Sequence, residues 1–423
     1  MRTAVIGAGM VGLATAHRLT KRGDDVVVFE RDTVLGGLAA SFQPVPGGDK
    51  LERFYHHVFK SDRRFVRLTN ELGLGDRLVW RKPGAVCFID GALHALDGAR
   101  SLMRFAPLAP VQRLRLAVAL GILKASPSAT PFEGRGGARW LRRVAGSGAY
   151  SVVFDPLFRS KFGAHADDIA LSWFWARIHD RTAALGYPVG GFATVYERLA
   201  ERIVAHGGRI RTGTPVAAVE RDGDGVSVRS AAAPAGERFD RVVSTLPLPA
   251  LAGLAPAIGD GFRTRFSTGP GLAARCVVLA LDRPLTGTYW INMCDAGAPF
   301  TVVVEHTALV GPQRYGGKHL VYLGNYGPSF PACAVAELVE SFAPYLRRIN
   351  PRFSTAWVSG AWQFVAGDAQ PIVTAGYRAR IPPHRTPVPG LFLANIYQVY
   401  PHDRGQNYAV ALADSVIRTM SAT

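Results

Sequence analysis

The first thirty residues constrain this chain more than any other stretch. Thr3 to Ile6 is a short apolar and β-branched run, and Gly7-Ala8-Gly9-Met10-Val11-Gly12 follows at once. Leu13, Ala16 and Leu19 then recur at helical spacing, Gly23 ends the helix, and Val26-Val27-Val28-Phe29 reads as the next buried parallel strand, closed by Glu30. This is a β-α-β unit with a glycine-rich first turn. Gly7 permits the tight turn, Gly9 lets the backbone approach a pyrophosphate, and Gly12 lets helix and strand pack closely. The free N–H groups and dipole of the helix start favour the negative charge of phosphates, so the whole loop from Gly7 to Gly12 is expected to bind a dinucleotide. Glu30 lies 18 residues after the last glycine, placed to accept hydrogen bonds from the adenosine ribose hydroxyls.

A nicotinamide dinucleotide would suit that loop equally well. A second motif decides between the cofactors. Glu30-Arg31 is followed by the pair Gly36-Gly37 and by Leu38. A glycine pair there lets the backbone run beside a second stretch of an elongated dinucleotide, as FAD requires. This Glu-Arg-x4-Gly-Gly run resembles the signature of the large flavoprotein family that contains amine oxidases, protoporphyrinogen oxidases and phytoene desaturases, with UDP-galactopyranose mutases as more distant relatives. Leu246-Pro247 after Val243-Ser244-Thr245, and Gly390-Leu391-Phe392-Leu393-Ala394 with the closing helix, are similar to further flavin-side segments of that family. The overall likeness is best to bacterial protoporphyrinogen-oxidase-like proteins. The resemblance implies that Gly7, Gly9, Gly12, Glu30, Arg31, Gly36, Gly37 and Leu38 hold FAD. It implies that Val216 presents its backbone to the adenine and that Asn395 lies near the pyrophosphate and ribitol. It also implies that Gln406, Asn407, Tyr408 and Ala409 open a helix whose dipole faces the flavin pyrimidine. Ala394-Asn395 departs from the family's usual Gly-Asp or Gly-Glu.

The rest of the chain reads as a mixed α/β protein. Phe192 to His206 has helical, amphipathic spacing. Arg209 to Arg211, Val216 to Val219 and Val226 to Val228 read as short strands, and Phe239 to Thr245 as a strand leading out of that ribbon. Residues 390–394 form a last strand, with a helix from about Gln406 to Met420 after a loop. Residues 96–190 carry helical patterns, whereas residues 265–380 carry β-like runs such as Thr301 to Glu305 and Leu320 to Leu323. The expected architecture is a discontinuous Rossmann-like FAD domain, 1–95 with 191–264 and 381–423. A helix-and-sheet substrate domain, 96–190 with 265–380, is inserted into it.

Three stretches carry candidate chemistry. Arg53-Phe54-Tyr55-His56-His57-Val58-Phe59 follows the glycine pair, and by resemblance passes beside the flavin; His56 or His57 there would hydrogen-bond the ring or move a proton near neutral pH. Tyr397 to Gly405 lies between a parallel strand and a helix start, the crevice where such sheets bind ligands, and offers Tyr397, His402 and Asp403 for proton chemistry and Arg404 as an anion clamp. Leu157 to Gly163, Trp173 to Arg177, Tyr289-Trp290 and Glu305-His306 mix aromatics with ionisable groups, which makes Arg177 and Trp290 substrate candidates and leaves the aromatics an alternative role as core. No GxSxG elbow or HExxH motif occurs.

The net charge is +17, but only seven of 49 basic residues are lysine and the charge is spread along the chain, so an anionic small molecule is a more natural partner than nucleic acid. Four scattered cysteines fit neither a disulfide framework nor a metal site. Residues 1–16 mimic a signal peptide, yet glycines interrupt the apolar run and cleavage would remove the β-α-β unit; a cytoplasmic location is expected. Pro110 to Lys124 reads either as a basic amphipathic helix resting on a membrane or, being apolar nearly all round, as a buried helix. The function expected is an FAD-dependent oxidoreductase that takes a hydride from a small, anionic or lipidic substrate. A flavin-dependent isomerase of the galactopyranose mutase kind, acting on a nucleotide sugar, is the alternative, and a non-catalytic FAD-bound protein is a third reading.

Overall fold

The computed structural model describes residues 1–295, 297–326 and 333–422. β1 (Arg2–Ile6), α1 (Met10–Thr20) and β2 (Asp25–Phe29) form the expected unit. Ala4, Val5, Val26, Val27 and Val28 are wholly buried, as their apolar, mostly β-branched side chains require of strands covered on both faces. Gly23 sits at φ +88°, a left-handed conformation that stops the helix and that a side chain resists.

Three later segments complete this sheet: β3 (Arg209–Arg211), β4 (Arg241–Ser244) and β5 (Leu391–Leu393). The order is β3-β2-β1-β4-β5 and every pairing is parallel. All five strands therefore point their carboxyl ends at one edge. The glycine loop after β1, Glu30 after β2, Val216 beyond β3, Leu246 after β4 and Asn395 after β5 all leave the sheet there. α2 (Gln406–Ser421) packs against α1 beneath the sheet, with Leu13, Val410, Ala413 and Ile417 in a shared core.

The ribbon expected after residue 207 is an antiparallel sheet of Val216–Asp222, Gly225–Ser230 and Ala233–Phe239. The run from Phe239 to Thr245 is two strands rather than one. Asp240 breaks it, donating its N–H to the Arg2 carbonyl at 2.9 Å while its carboxylate accepts the Arg2 N–H at 2.7 Å. The chain thus leaves the ribbon at Phe239 and enters the parallel sheet at Arg241.

A seven-stranded mixed sheet forms the second body of structure. Gly271–Leu281 lies between Val358–Pro371 and His319–Tyr326; Val302–Glu305, Trp290–Met293 and the hairpin Ala85–Ile89/Ala92–Ala95 follow in space. Residues 96–190 supply the helices Ala99–Met103, Pro110–Ala125, Gly137–Val144, Asp155–Phe162 and Leu171–His179 around a separate aromatic core. Phe158, Phe162, Trp173, Phe174 and Trp175 are buried in it, so these aromatics are core, and the cations Lys161 and Arg177 lie over the ring of Trp173. The helix Pro110–Ala125 is not buried all round: Leu116, Ala119 and Leu123 pack inward while Val111, Leu114, Val118 and Ile122 form an exposed stripe. No helix among the described residues is long and apolar enough to cross a membrane.

Candidate functional site

Two glycine turns meet at the carboxyl edge of the parallel sheet. The Gly36 N–H donates to the Ala8 carbonyl at 2.9 Å, and a Cβ on Gly37 would stand 3.4 Å from the Gly9 Cα. Gly7, Gly36 and Gly37 take φ of +102°, +117° and +57°. Gly12 is bare because a Cβ would lie 1.9 Å from the Gly7 carbonyl oxygen, inside the strand–helix contact. Gly9 differs: a Cβ there would meet protein no closer than 3.9 Å. Protein packing does not require glycine at Gly9, and the bare backbone instead leaves room for a ligand. Gly9 also caps α1 without any side-chain hydrogen bond, and the first turn holds no acid, so its N–H groups are open to an anion. Met10 and Val11 in that turn are buried. These features fit a dinucleotide pyrophosphate.

Glu30 is buried beside this loop. Its carboxylate accepts the Ala8 N–H at 2.7 Å and the Asp32 N–H at 2.9 Å, so it braces the glycine turn while keeping lone pairs for a ribose. The segment before Val216 is tied here too, through Gly213 to the Asp32 carbonyl and Thr214 to the Glu30 carbonyl. Arg31 is exposed beside it. Asn395 is consumed locally: its side chain accepts the Tyr397 N–H and donates to the Leu246 carbonyl, which locks β5 to the end of β4. At the start of α2, Gln406 accepts from the Tyr196 hydroxyl, and Asn407 accepts the N–H groups of Arg64 and Phe65, capping the helix Arg63–Glu71. Tyr408 turns toward His402, and Ala409 is half-buried.

A pocket lies between this edge and the seven-stranded sheet, lined by Leu38, Tyr55, His56, Cys276, Tyr326 and Arg404 among others. His56 reaches it; its Nδ1 lies 2.7 Å from the Phe54 carbonyl, which can only accept, so Nδ1 carries the proton and Nε2 is left as an acceptor. Burial pushes the His56 pKa down to about 4, which keeps the ring neutral at pH 7. His57 does not join it. In the loop just before the strand Val58–Phe59, His57 turns into a nest of Phe59, Tyr289 and Trp290, with Nδ1 3.0 Å from the Tyr289 hydroxyl, and burial lowers its pKa to about 3. Trp290 packs edge-on to Tyr55 and donates to Asn292. Tyr397 is also set apart, its hydroxyl donating to Asp368 at 2.6 Å.

His402 occupies a different corner. It stacks on Tyr408 with ring centroids 4.3 Å apart, and both side chains hydrogen-bond Asp180, from His402 Nδ1 at 2.7 Å and from the Tyr408 hydroxyl at 2.6 Å. Burial raises the Asp180 pKa, but the hydrogen bonds from His402 and Tyr408 outweigh it and the carboxyl ends below its usual range. Arg177 pairs with Asp403, and Arg404 donates to the Tyr326 hydroxyl at 3.1 Å. Tyr326 in turn lies 3.2 Å from the Tyr55 hydroxyl. The structure thus brings His56 and Arg404 to one pocket, puts Arg177 behind it, and leaves His57, Tyr397, Trp290 and His402 in separate contacts.

Glu305 and His306 belong to the scaffold. The Glu305 carboxylate gathers the N–H groups of Leu285, Thr286 and Gly287, and His306 bonds the Tyr315 hydroxyl at 3.1 Å. Sequence reading passed over Tyr55, Tyr326 and Asp180. One signal was available: His179-Asp180-Arg181 repeats the tripeptide His402-Asp403-Arg404, and the two copies face each other in space.

Three comparisons bear on identity. The family model described as flavin containing amine oxidoreductase matches residues 10–402. A 15-cis-phytoene desaturase of Synechococcus elongatus is 38% identical over 81 residues, 19% of this chain and 17% of that protein. The carotenoid desaturases matched are spanned over only 14 to 43% of their length. Among solved structures, cyclohexylamine oxidase from Brevibacterium oxydans superposes with a TM-score of 0.72 at 16% identity, covering 99% of each chain. Reduced UDP-galactopyranose mutase superposes with a TM-score of 0.75 at 14% identity, over 100% of this chain and 96% of the other. The structural likenesses establish a shared fold.

Proposed function

The chain belongs to the flavin-containing amine oxidoreductase family, and from that premise we propose that it is an FAD-dependent oxidoreductase that removes a hydride, or its equivalent, from a C–H bond of a small organic substrate. The observation that carries the reading is the double glycine turn, bare at Gly9 where protein packing asks for nothing, running into a pocket lined by Leu38, Tyr55 and His56. Bound FAD supplies the hydride acceptor. The open N–H groups of α1 bind its pyrophosphate, and Glu30 takes the ribose hydroxyls. The start of α2 has no side-chain cap at Gly405, so its open N–H groups would favour negative charge on a bound flavin.

The pocket's own groups do the remaining work. Neutral His56 offers Nε2 to accept a proton when the substrate loses one along with its hydride. The paired hydroxyls of Tyr55 and Tyr326 orient the substrate, and Arg404 fixes Tyr326 from behind. Anaerobic mixing of the purified, FAD-loaded protein with candidate amines, porphyrinogens and isoprenoids tests this. Loss of the oxidised-flavin absorbance with stoichiometric product supports the reading; a flavin that no donor bleaches, or activity that appears only after dithionite reduction without net electron transfer, counts against it.

A further inference from the structure

Four cationic side chains converge behind the flavin-side pocket on a single acid. Lys161 comes from the helix Asp155–Phe162, Arg177 from the helix Leu171–His179, Arg181 from just beyond it, and Arg404 from the residue before Gly405 and α2. The acid is Asp403, which pairs with Arg177 and is also held by Gln370 Nε2 at 3.1 Å and by the Arg404 N–H at 3.0 Å. Lys161 lies over the rings of Tyr326 and Trp173, its ammonium 4.7 and 5.3 Å from their centroids, and among the described residues it donates to Gln370 Oε1 alone, at 3.3 Å. Arg404 spends one nitrogen on Tyr326, while its Nε is buried without a hydrogen-bond partner. Among the described residues, no side chain or carbonyl hydrogen-bonds the Arg181 guanidinium.

The charges do not balance. With Arg177 neutralised by Asp403, three cations remain, and two remain even with Lys161 deprotonated. Burial, followed by the nearby Arg177, drives Lys161 well below its usual pKa and Arg181 down to about 9. Arg181 is exposed, so its guanidinium is open to a solute. Positive charge gathered at short range without matching acids is costly unless an anion joins it. The cluster adjoins the pocket, since Tyr326 and Arg404 both line it and Lys161 lies over the Tyr326 ring.

We propose that Lys161, Arg181 and Arg404 form an oxyanion subsite that holds a carboxylate or phosphate of the substrate, with the oxidised carbon extending past Tyr326 and Tyr55 toward His56. The proposal rests on the oxidoreductase reading above and adds the substrate's class. Arg404 makes the subsite part of the pocket, and Arg181 supplies the open guanidinium whose planar fork suits either oxyanion.

The test compares three four-carbon probes, butyrate, butyl phosphate and the neutral butanamide, on the FAD-loaded protein. Dissociation constants come from perturbation of the flavin spectrum and from thermal shift. The expected result is that one or both anions bind at least about tenfold tighter than butanamide, and that Arg181→Gln and Lys161→Gln each remove roughly tenfold of that preference while leaving butanamide binding alone. The better anion identifies carboxylate or phosphate as the natural group. Equal affinity for all three probes in a yellow protein overturns the subsite and leaves the oxidoreductase reading standing; a protein that takes up no FAD overturns both. If the substituted proteins do not fold, the wild-type preference decides by its salt dependence: a decline with ionic strength supports the subsite, and a salt-insensitive preference overturns it.

Discussion

His402 Nδ1 lies 2.7 Å from Asp180 Oδ2, and the same oxygen accepts the Tyr408 hydroxyl at 2.6 Å. His402 precedes α2, Tyr408 lies in its first turn, and Asp180 ends the helix Leu171–His179, so one carboxylate fastens the helical region to the loop before α2. Lys124 closes the same corner by donating to the carbonyls of His179 and Arg181. Asp180→Asn keeps the shape but turns one acceptor oxygen into a donor. The expected loss is about 1–3 kcal/mol in denaturant unfolding, the range for a buried polar group left unsatisfied. Turnover should fall with it, because the loop carrying Asp403 and Arg404 loses its anchor. Unchanged stability and unchanged kcat/KM would disprove the anchoring role.

The two central glycines of the first turn should fail in different ways. A Cβ on Gly12 collides with the Gly7 carbonyl at 1.9 Å, backbone against backbone, and nothing nearby can yield. A Cβ on Gly9 meets only ordinary contacts. Gly9→Ala should therefore fold with near-normal circular dichroism while FAD affinity falls by about two orders of magnitude, roughly 3 kcal/mol. Gly12→Ala should lose folded protein outright. Gly9→Ala that retains bound flavin in full would show that the cofactor does not approach this backbone.

The cofactor half of the site was legible because backbone chemistry writes itself into sequence: bare turns need glycine, and a buried parallel strand needs apolar β-branched residues. Gly7, Gly9, Gly12, Gly36 and Gly37 come together as their spacing implied. The substrate side was less legible, because its residues come from distant segments and only tertiary contacts bring them together. Tyr55 and Tyr326 meet across 271 positions of sequence, and Arg177 meets Asp403 across 226. His56 and His57 looked alike in sequence, and only the path of the loop before Val58 separates the pocket residue from the packed one. The hairpin Ala85–Ile89/Ala92–Ala95 hydrogen-bonds into the seven-stranded sheet, although residues up to 95 read as one segment with the glycine turns. Nothing local marks that switch, since a short apolar hairpin carries no sign in its own residues of the sheet it will join.

His56 is the pocket's neutral acceptor, and its lowered pKa fixes a pH signature. The base form of a group with a pKa of about 4 persists well below pH 6.5, so kcat/KM should hold steady down to about pH 5 and fall below it. His56→Ala should reduce kcat/KM by about 10²- to 10⁴-fold, the range for removing a positioned proton acceptor, and should abolish that acid limb. The same depression has a stability consequence. A histidine lowered on folding contributes stability above its unfolded pKa near 6.5 that is lost as the pH falls toward the folded value. His56, His57 and His306, at about 4, 3 and 3, all act in that direction. A pH–rate profile that turns down near 6.5 would rule out His56 as the acceptor.

Glu52 works in the opposite direction. It is fully buried, accepting from the Tyr187 hydroxyl and the Phe192 N–H at 2.7 Å each, and among the described residues no cation bonds it. Burial raises its pKa to about 7 against 4.5, and two hydrogen bonds only partly offset that. An acid whose folded pKa is raised contributes stability that is complete below the unfolded pKa and is lost as the pH climbs through the folded one. The window is therefore about pH 4.5 to 7, and the full difference is on the order of 3 kcal/mol at 1.4 kcal/mol per unit. Glu52→Gln keeps an acceptor for Phe192 and removes the titration. Relative to the parent protein it should gain stability between about pH 4.5 and 7 and level off above that, read as a rising difference in urea midpoint. A difference that stays flat across that range would mean Glu52 titrates near its ordinary value and that its buried nest is reached by water.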